Sequence, residues 1–334
     1  MLNRFTISKL KRVRKKKFAS VSAAMLFMIL SFQNCSGGFS SKSDLEKLSV
    51  ASTGAPNPTP APIPSPSPIP APVPAPAPTP APNPAPKSSY VPAGYTLTFD
   101  DEFTSLSTIS NGPIPYSPSV KWYNGIEQCC MGPSDGKSGS MFPTLVNGTT
   151  LVNPYSLDPS GGLDISLTLQ GNWWNSGVMQ TVDGSHSGFS QQYGYFEISA
   201  QFPSGPGTWP SLWMLPVNAT ANHGEIDIFE GYTQFQNGFC ISLHDWDNTP
   251  NGAQDCFNNL PENVTTGYHV YGMLWTPQMM TFYFDGRQIW QHAPLGVMNG
   301  PYYLLLDLGI GGGWPTENTP SPSVMKVKYV RAYK

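Results

Sequence analysis

The 334-residue chain has 12% charged and 12% aromatic residues, with 32 Gly and 36 Pro, a composition that suits a strand-rich extracellular protein. Its net charge of −3 is uneven: eight of the 18 Lys/Arg fall within residues 1–17 and no acid precedes Asp44, so without that segment ten basic residues face 21 acidic ones, about −11. Such an acidic chain argues against nucleic acid and other polyanions as partners and accommodates a neutral one.

Residues 1–34 read as an export signal. Seven Lys/Arg between Lys9 and Lys17 precede an apolar run of 15 residues, Phe18 to Phe32, shorter than the roughly 20 residues of a membrane span. The run ends at Cys35-Ser-Gly-Gly, which resembles a bacterial lipoprotein cleavage site, although Gln33 and Asn34 replace the small residues usual before that cysteine. The resemblance implies an acylated Cys35 and a cell-surface lipoprotein; ordinary secretion or an uncleaved anchor is the alternative. After a flexible segment, residues 35–54, comes a linker over 55–88 with proline at every even position from Pro56 to Pro86. Such a segment makes neither helix nor sheet ladders. It is expected to be disordered, an extended spacer on the order of 100 Å long.

From residue 89 to 334 short apolar-polar alternations recur between Gly/Pro/Asn turns, as in residues 95–99, 163–167, 194–202, 269–275, 280–285 and 325–333. Asp285-Gly286 is a hairpin signal. No long amphipathic helix is apparent, so this part reads as one all-β domain, a jelly-roll β-sandwich of two antiparallel sheets, and as a monomer. The five cysteines form no C-x-x-C and no Cys/His cluster of zinc spacing, so no metal or other cofactor is expected. In an exported protein Cys240–Cys256 would close a modest loop, while the adjacent Cys129 and Cys130 leave their partners open.

Two stretches carry candidate chemistry. In Gly207-Thr-Trp-Pro-Ser-Leu-Trp213, Trp209, Ser211 and Trp213 alternate and share a strand face. In Gly224-Glu-Ile-Asp-Ile-Phe-Glu-Gly231, Glu225 and Asp227 share a face, while Glu230, five residues from Glu225, falls on the other. One extra residue, a bulge near Ile228-Phe229, restores Glu230 to the acidic face. Three acids on one face repel one another and lose solvation, an arrangement that makes sense when their pKa values are pushed apart for acid/base work. A solvated sheet face shares this spacing. If the two strands pair antiparallel, tryptophans flank the carboxylates. Aromatic faces stack on the C–H faces of sugars, so the pattern suits a glycan cleft, which Trp122, Trp173, Trp174, Tyr193, Trp246 and Trp314 could extend. Core packing is the alternative for about half of these tryptophans.

With these motifs the chain resembles glycoside hydrolase family 16, whose signature is E-x-D-x-x-E. Phe99-Asp-Asp-Glu-Phe103, Ser176-Gly-Val-Met-Gln-Thr181, Gln192-Tyr-Gly-Tyr-Phe-Glu197, Tyr283-Phe-Asp-Gly286, Gly311-Gly-Gly-Trp-Pro315 and the end of the chain agree in order, over about residues 95–334. The resemblance implies a concave cleft and a retaining, endo-acting hydrolase of β-1,3 or mixed β-1,3/1,4 glucan. It makes Glu225 the nucleophile, Glu230 the acid/base and Asp227 the residue that tunes the nucleophile. The polysaccharide would be met by Trp209, Trp213, His244, Trp122, Trp174 and Trp314; for His244 a hydrogen bond within the sheet is the alternative. An agarase or other galactanase, an exopolysaccharide-cleaving or transglycosylating enzyme, and a non-catalytic glycan-binding jelly roll stand as alternatives. Two departures bear on this. Lys328 stands where members often carry a calcium-binding Asp, and Tyr195 stands where many laminarinases carry Arg, which leaves the exact glucan open.

Overall fold

The computed structural model describes residues 90–110, 115–124, 153–171, 173–219, 223–248 and 252–334. The export signal, Cys35, the proline-rich linker and the Cys129–Cys130 pair lie outside the described residues. Sixteen strands are described: β1 Leu97–Asp101, β2 Tyr123–Asn124, β3 Tyr155–Leu157, β4 Leu163–Gln170, β5 Trp173–Asn175, β6 Val178–Gln180, β7 Gly194–Gln201 and β8 Thr208–Pro216. They continue with β9 Gly224–Glu230, β10 Phe239–Asp245, β11 Ala253–Phe257, β12 His269–Trp275, β13 Met280–Phe284, β14 Arg287–His292, β15 Tyr302–Ile310 and β16 Ser323–Tyr333. Among the described residues no helix is long and apolar enough to cross a membrane.

The strands form two antiparallel sheets packed face to face, the expected jelly-roll sandwich. The nine-stranded sheet runs β14-β13-β12-β7-β16-β4-β3, with β1 on β16 and β5 on β4. The seven-stranded sheet runs β11-β10-β9-β8-β15-β6-β2. Alternation decides which side chains go between them. In β4, Leu163, Ile165 and Leu167 turn inward while Asp164 and Ser166 stay partly exposed. From the seven-stranded sheet come Leu212, Met214, Ile226, Phe229, Ile241, Leu243, Leu304 and Leu306. Each such side chain, fully buried, contributes about 1.5–3 kcal/mol. The β13–β14 hairpin turns on Asp285 and Gly286, both at positive φ (48° and 75°), the type I′ geometry for which the Asp-Gly pair is suited.

Several aromatics expected along a cleft belong to this core instead. Trp122 is fully buried, with Phe99 and Phe103 around it and its indole N–H donated to Asp101 at 3.0 Å. Trp174 is buried in the same core. Tyr193 packs edge-on against Trp275. Burial of a large apolar ring against other rings outweighs keeping it at the surface. Tyr195 lies on β7, in the sheet opposite the acidic strand, buried beside Tyr283 and Tyr333. Tyr195 thus packs in that sheet and not on the acidic strand's face. Lys328 donates its ammonium to the carbonyls of Ser160 and Gly161 at 2.8 and 2.9 Å, 5.3 Å from the Tyr268 ring centroid.

Candidate active site

The outer face of the seven-stranded sheet gathers polar groups along β9 and β10 beside an apolar cluster of Val178, Val182, Trp213, Tyr303 and Leu305, and β9 supplies its centre. Ile226, Ile228 and Phe229 enter the core. The pairing of β9 slips by one residue on both sides. Toward β8, Leu212 faces Phe229 and Trp213 faces Asp227; toward β10, Cys240 faces Glu230 and Ser242 faces Asp227. The bulge over Ile228 and Phe229 puts two consecutive apolar side chains inward. Glu230 thus returns to the face that holds Glu225 and Asp227.

The neighbouring strands set what surrounds each acid. On β10, His244, Ser242 and Cys240 stand opposite Glu225, Asp227 and Glu230. On β8, Trp213 and Ser211 stand opposite Asp227 and Glu230, and Asp307 of β15 stands opposite Ser211. Glu230, nearly fully buried, accepts hydrogen bonds from the Trp209 indole at 3.0 Å, the Tyr232 hydroxyl at 3.2 Å and, more weakly, the Ser242 hydroxyl at 3.5 Å. Gln254 on the edge strand β11 donates to that same Ser242 hydroxyl at 3.0 Å. Glu225 accepts from the Trp246 indole at 3.0 Å, and Trp246 stacks on His244 with centroids 4.7 Å apart. His244 Nε2 lies 3.1 Å from Asp227 Oδ2.

Burial dominates the electrostatics. It pushes Glu225 up to about 8, with the charge of Asp227 adding to the effect and His244 and the Trp246 N–H opposing it. Asp227 is likewise raised to about 8 by burial, against a hydrogen bond with Glu225. Glu230 rises to about 7 through burial and then the Asp227 charge, held back by His244, Tyr232 and Trp209. Desolvation acts in the same direction on all three groups, and like charge adds to it on Glu225 and Glu230, so the carboxyls share protons and titrate as a unit. Glu225, Asp227 and His244 also offer three potential metal-ligand atoms within 4.8 Å of one another.

The structure thus places Glu225, Asp227, Glu230, Trp209, Trp213 and His244 on one face, and leaves Trp122 and Trp174 in the core. Trp314 is half-buried at the edge of that face, 6.3 Å from Tyr232 and 5.0 Å from Phe235 between ring centroids. It packs with Trp209 and the cross-strand Cys240–Cys256 disulfide. Trp209 and Trp213 keep only 8% exposure each, and their N–H groups are held by Glu230 and Asp307. Tyr232, Ser242, Gln254 and Asp307 escaped the sequence reading. Asp307 had a legible signal, as the one charged residue in the otherwise apolar run of β15. Gln254 had none, because its bond to Ser242 depends on cross-strand register, whereas Tyr232 reaches Glu230 from two residues further along the chain.

The profile of glycosyl hydrolases family 16 matches residues 154–330. The chain is 30% identical over 248 residues to the endo-1,3-1,4-beta-glycanase ExsH of Rhizobium meliloti (strain 1021), covering 71% of this chain and 51% of that protein. It is 34% identical over 161 residues to the keratan-sulfate endo-1,4-beta-galactosidase of Sphingobacterium multivorum, covering 44% of this chain and 38% of that protein. The chain therefore spans about half the length of the first of these curated relatives. Its fold is similar to that of the laminarinase catalytic domain from Thermotoga maritima MSB8, with a TM-score of 0.54, 21% identity, and coverage of 72% of this chain and 98% of that one.

Proposed function

Because the chain belongs to the glycosyl hydrolases of family 16, we propose that its domain over residues 89–334 is a retaining, endo-acting glycoside hydrolase that cleaves β-1,3 or mixed β-1,3/1,4 glucan. The observation that carries this is the bulge in β9, which puts three carboxyl groups on one face of one strand, among indole, hydroxyl and imidazole partners. The endo-1,3-1,4-beta-glycanase relative supports the substrate class.

In this reading Glu225 attacks the anomeric carbon while Glu230 gives its proton to the departing glycosidic oxygen. A covalent glycosyl ester forms on Glu225. Glu230, now ionised, takes a proton from water, whose oxygen attacks the same carbon and releases Glu225 with net retention. A pKa near 7 suits a group that must first give and then take a proton close to neutrality. Asp227, hydrogen-bonded to Glu225, holds the nucleophile's orientation and shares the cluster's proton, while the Trp246 N–H favours negative charge on Glu225.

The test is a panel of laminarin, lichenan, barley glucan and agarose with product sizing. Endo-cleavage of the glucans with retained configuration is expected, and Glu225→Ala or Glu230→Ala should each lower turnover by several orders of magnitude. Wild-type rates in either variant would overturn the roles. Cleavage of agarose alone would move the substrate to a galactan, the reading that the 34% identity to a galactosidase favours. The sequence further supports export by residues 1–34 and membrane attachment of a monomer through acylated Cys35, with residues 55–88 as spacer. Labelled palmitate should enter the wild type and not Cys35→Ser, and a Cys35→Ser protein still found with membranes would sink the anchor.

A further inference from the structure

Three indole N–H groups reach carboxyls on the acidic face, and only two of those carboxyls belong to the E-x-D-x-x-E motif. Trp209 holds Glu230 and Trp246 holds Glu225, each at 3.0 Å; the third pair is Trp213 and Asp307, at 2.7 Å. Resting on the reading of this face as a glycan cleft, we propose that Asp307 is a positioning residue, which fixes the Trp213 indole beside the carboxylates and so sets how tightly the cleft holds its sugar chain.

The placement carries the argument. Asp307 is a lone acid in β15, whose nine residues are all buried, and is itself 1% exposed. An acid there costs solvation that an apolar residue would not. Its Cα stands opposite Ser211, which stands opposite Glu230, so it lies two strand spacings, about 10 Å, from the acid. Trp213 starts one alternation away, opposite Asp227, and its indole reaches across to Asp307. The ring otherwise packs among Val178, Val182, Tyr303 and Leu305, contacts that fill space without selecting an orientation. The indole N–H is the side chain's one polar handle, and Asp307 is what it grips.

The carboxyl's surroundings fit an anchor that works without charge. The groups facing Asp307 are Glu230 and Asp227 of β9 and the Tyr155 phenol from β3, besides the N–H donors of Trp213 and Gly309. Burial holds the Asp307 carboxyl well above the usual carboxylate range, the charges of Glu230 and Asp227 push the same way, and the two N–H groups oppose them. A carboxyl oxygen accepts the indole N–H with or without the proton, so the grip does not depend on charge.

The experiment compares Asp307→Asn, which keeps an acceptor oxygen, with Asp307→Ala, which removes it. Solvent exchange of the Trp213 indole N–H is followed in protein carrying 15N-tryptophan, the signal being assigned by its loss in Trp213→Phe. Kinetics are read on laminarin. Asp307→Ala should speed that exchange and raise KM about fivefold, the size of one lost hydrogen bond, with kcat within about twofold. Asp307→Asn should restore both values and leave the pH profile in place. In a Trp213→Phe background Asp307→Ala should add nothing to KM. Unchanged indole exchange in Asp307→Ala, additive KM effects, or an Asn variant as impaired as the Ala variant would each overturn the proposal. A wild type inert on laminarin would count against the glucan reading instead, because the exchange measurement needs no substrate and decides the anchor by itself.

Discussion

Replacing Trp209 by Phe removes one N–H from Glu230 and little else that is polar. Glu230 would keep the Tyr232 and Ser242 hydroxyls, at 3.2 and 3.5 Å, and lose its shortest donor, at 3.0 Å. A hydrogen bond to a charged group is worth about 1.5–3 kcal/mol. Water entering the space left by the smaller ring would return part of that, so we take about 1.4 kcal/mol, equivalent to about one pKa unit. The sign follows from which form the indole favours. The N–H stabilises the carboxylate, so its loss raises the pKa of Glu230 above its value of about 7. The protonated form starts the reaction, so the alkaline limb of kcat/KM should move up by about one unit in Trp209→Phe, with a lower plateau because a more tightly held proton is transferred less readily. The assay is kcat/KM on a soluble glucan between pH 5 and 10, alongside thermal melts to confirm folding. An alkaline limb that stays in place, or moves down, would refute the assignment of Glu230 as the acid and Trp209 as its modulator.

Other perturbations should separate packing, charge and covalent ties. Trp122→Ala, which empties a fully buried site in the core, should cost about 3–5 kcal/mol of stability and leave KM unchanged in whatever folded protein remains; a selective rise in KM would return Trp122 to the cleft. Glu230 has a folded-state pKa above that of the unfolded chain, so its contribution to stability is fully present below about pH 4 and lost as pH rises through about 7. Glu230→Gln should therefore raise the melting temperature more at pH 8 than at pH 4, and equal shifts at both would show that the carboxyl is not desolvated. Opening the Cys240–Cys256 tie, with a sequence separation of 16, by Cys240→Ser with Cys256→Ser should cost about 3 kcal/mol. It should also lower kcat, because the same edge strand carries Gln254, which bonds the Ser242 hydroxyl next to Glu230; unchanged stability and rate would show that β11 needs no clamp.

Much of this protein is legible along the chain. Alternation with a period of two marks most strands, since one face of each must leave water, and Asp285-Gly286 marks its hairpin because few residue pairs accept two positive φ angles. The five-residue offset from Glu225 to Glu230 announces the bulge, for a regular strand would bury one of the acids in an apolar core. Partners across strands are a different matter. Whether a tryptophan lines a cleft or fills a core depends on which sheet its strand joins and which face turns inward, so Trp122 and Trp209 look alike in sequence and part company only in the fold. Tyr195 likewise falls on the sheet opposite the acids, packed beside Tyr283 and Tyr333. Gln254 and Asp307 join the site through register: Gln254 bonds Ser242 and Asp307 bonds Trp213, the latter pair 94 residues apart, and these contacts exist only once β8, β10, β11 and β15 have aligned beside β9. The strands and the acids are local properties of the chain; the proton affinities of those acids, set by burial and by donors from neighbouring strands, belong to the tertiary structure.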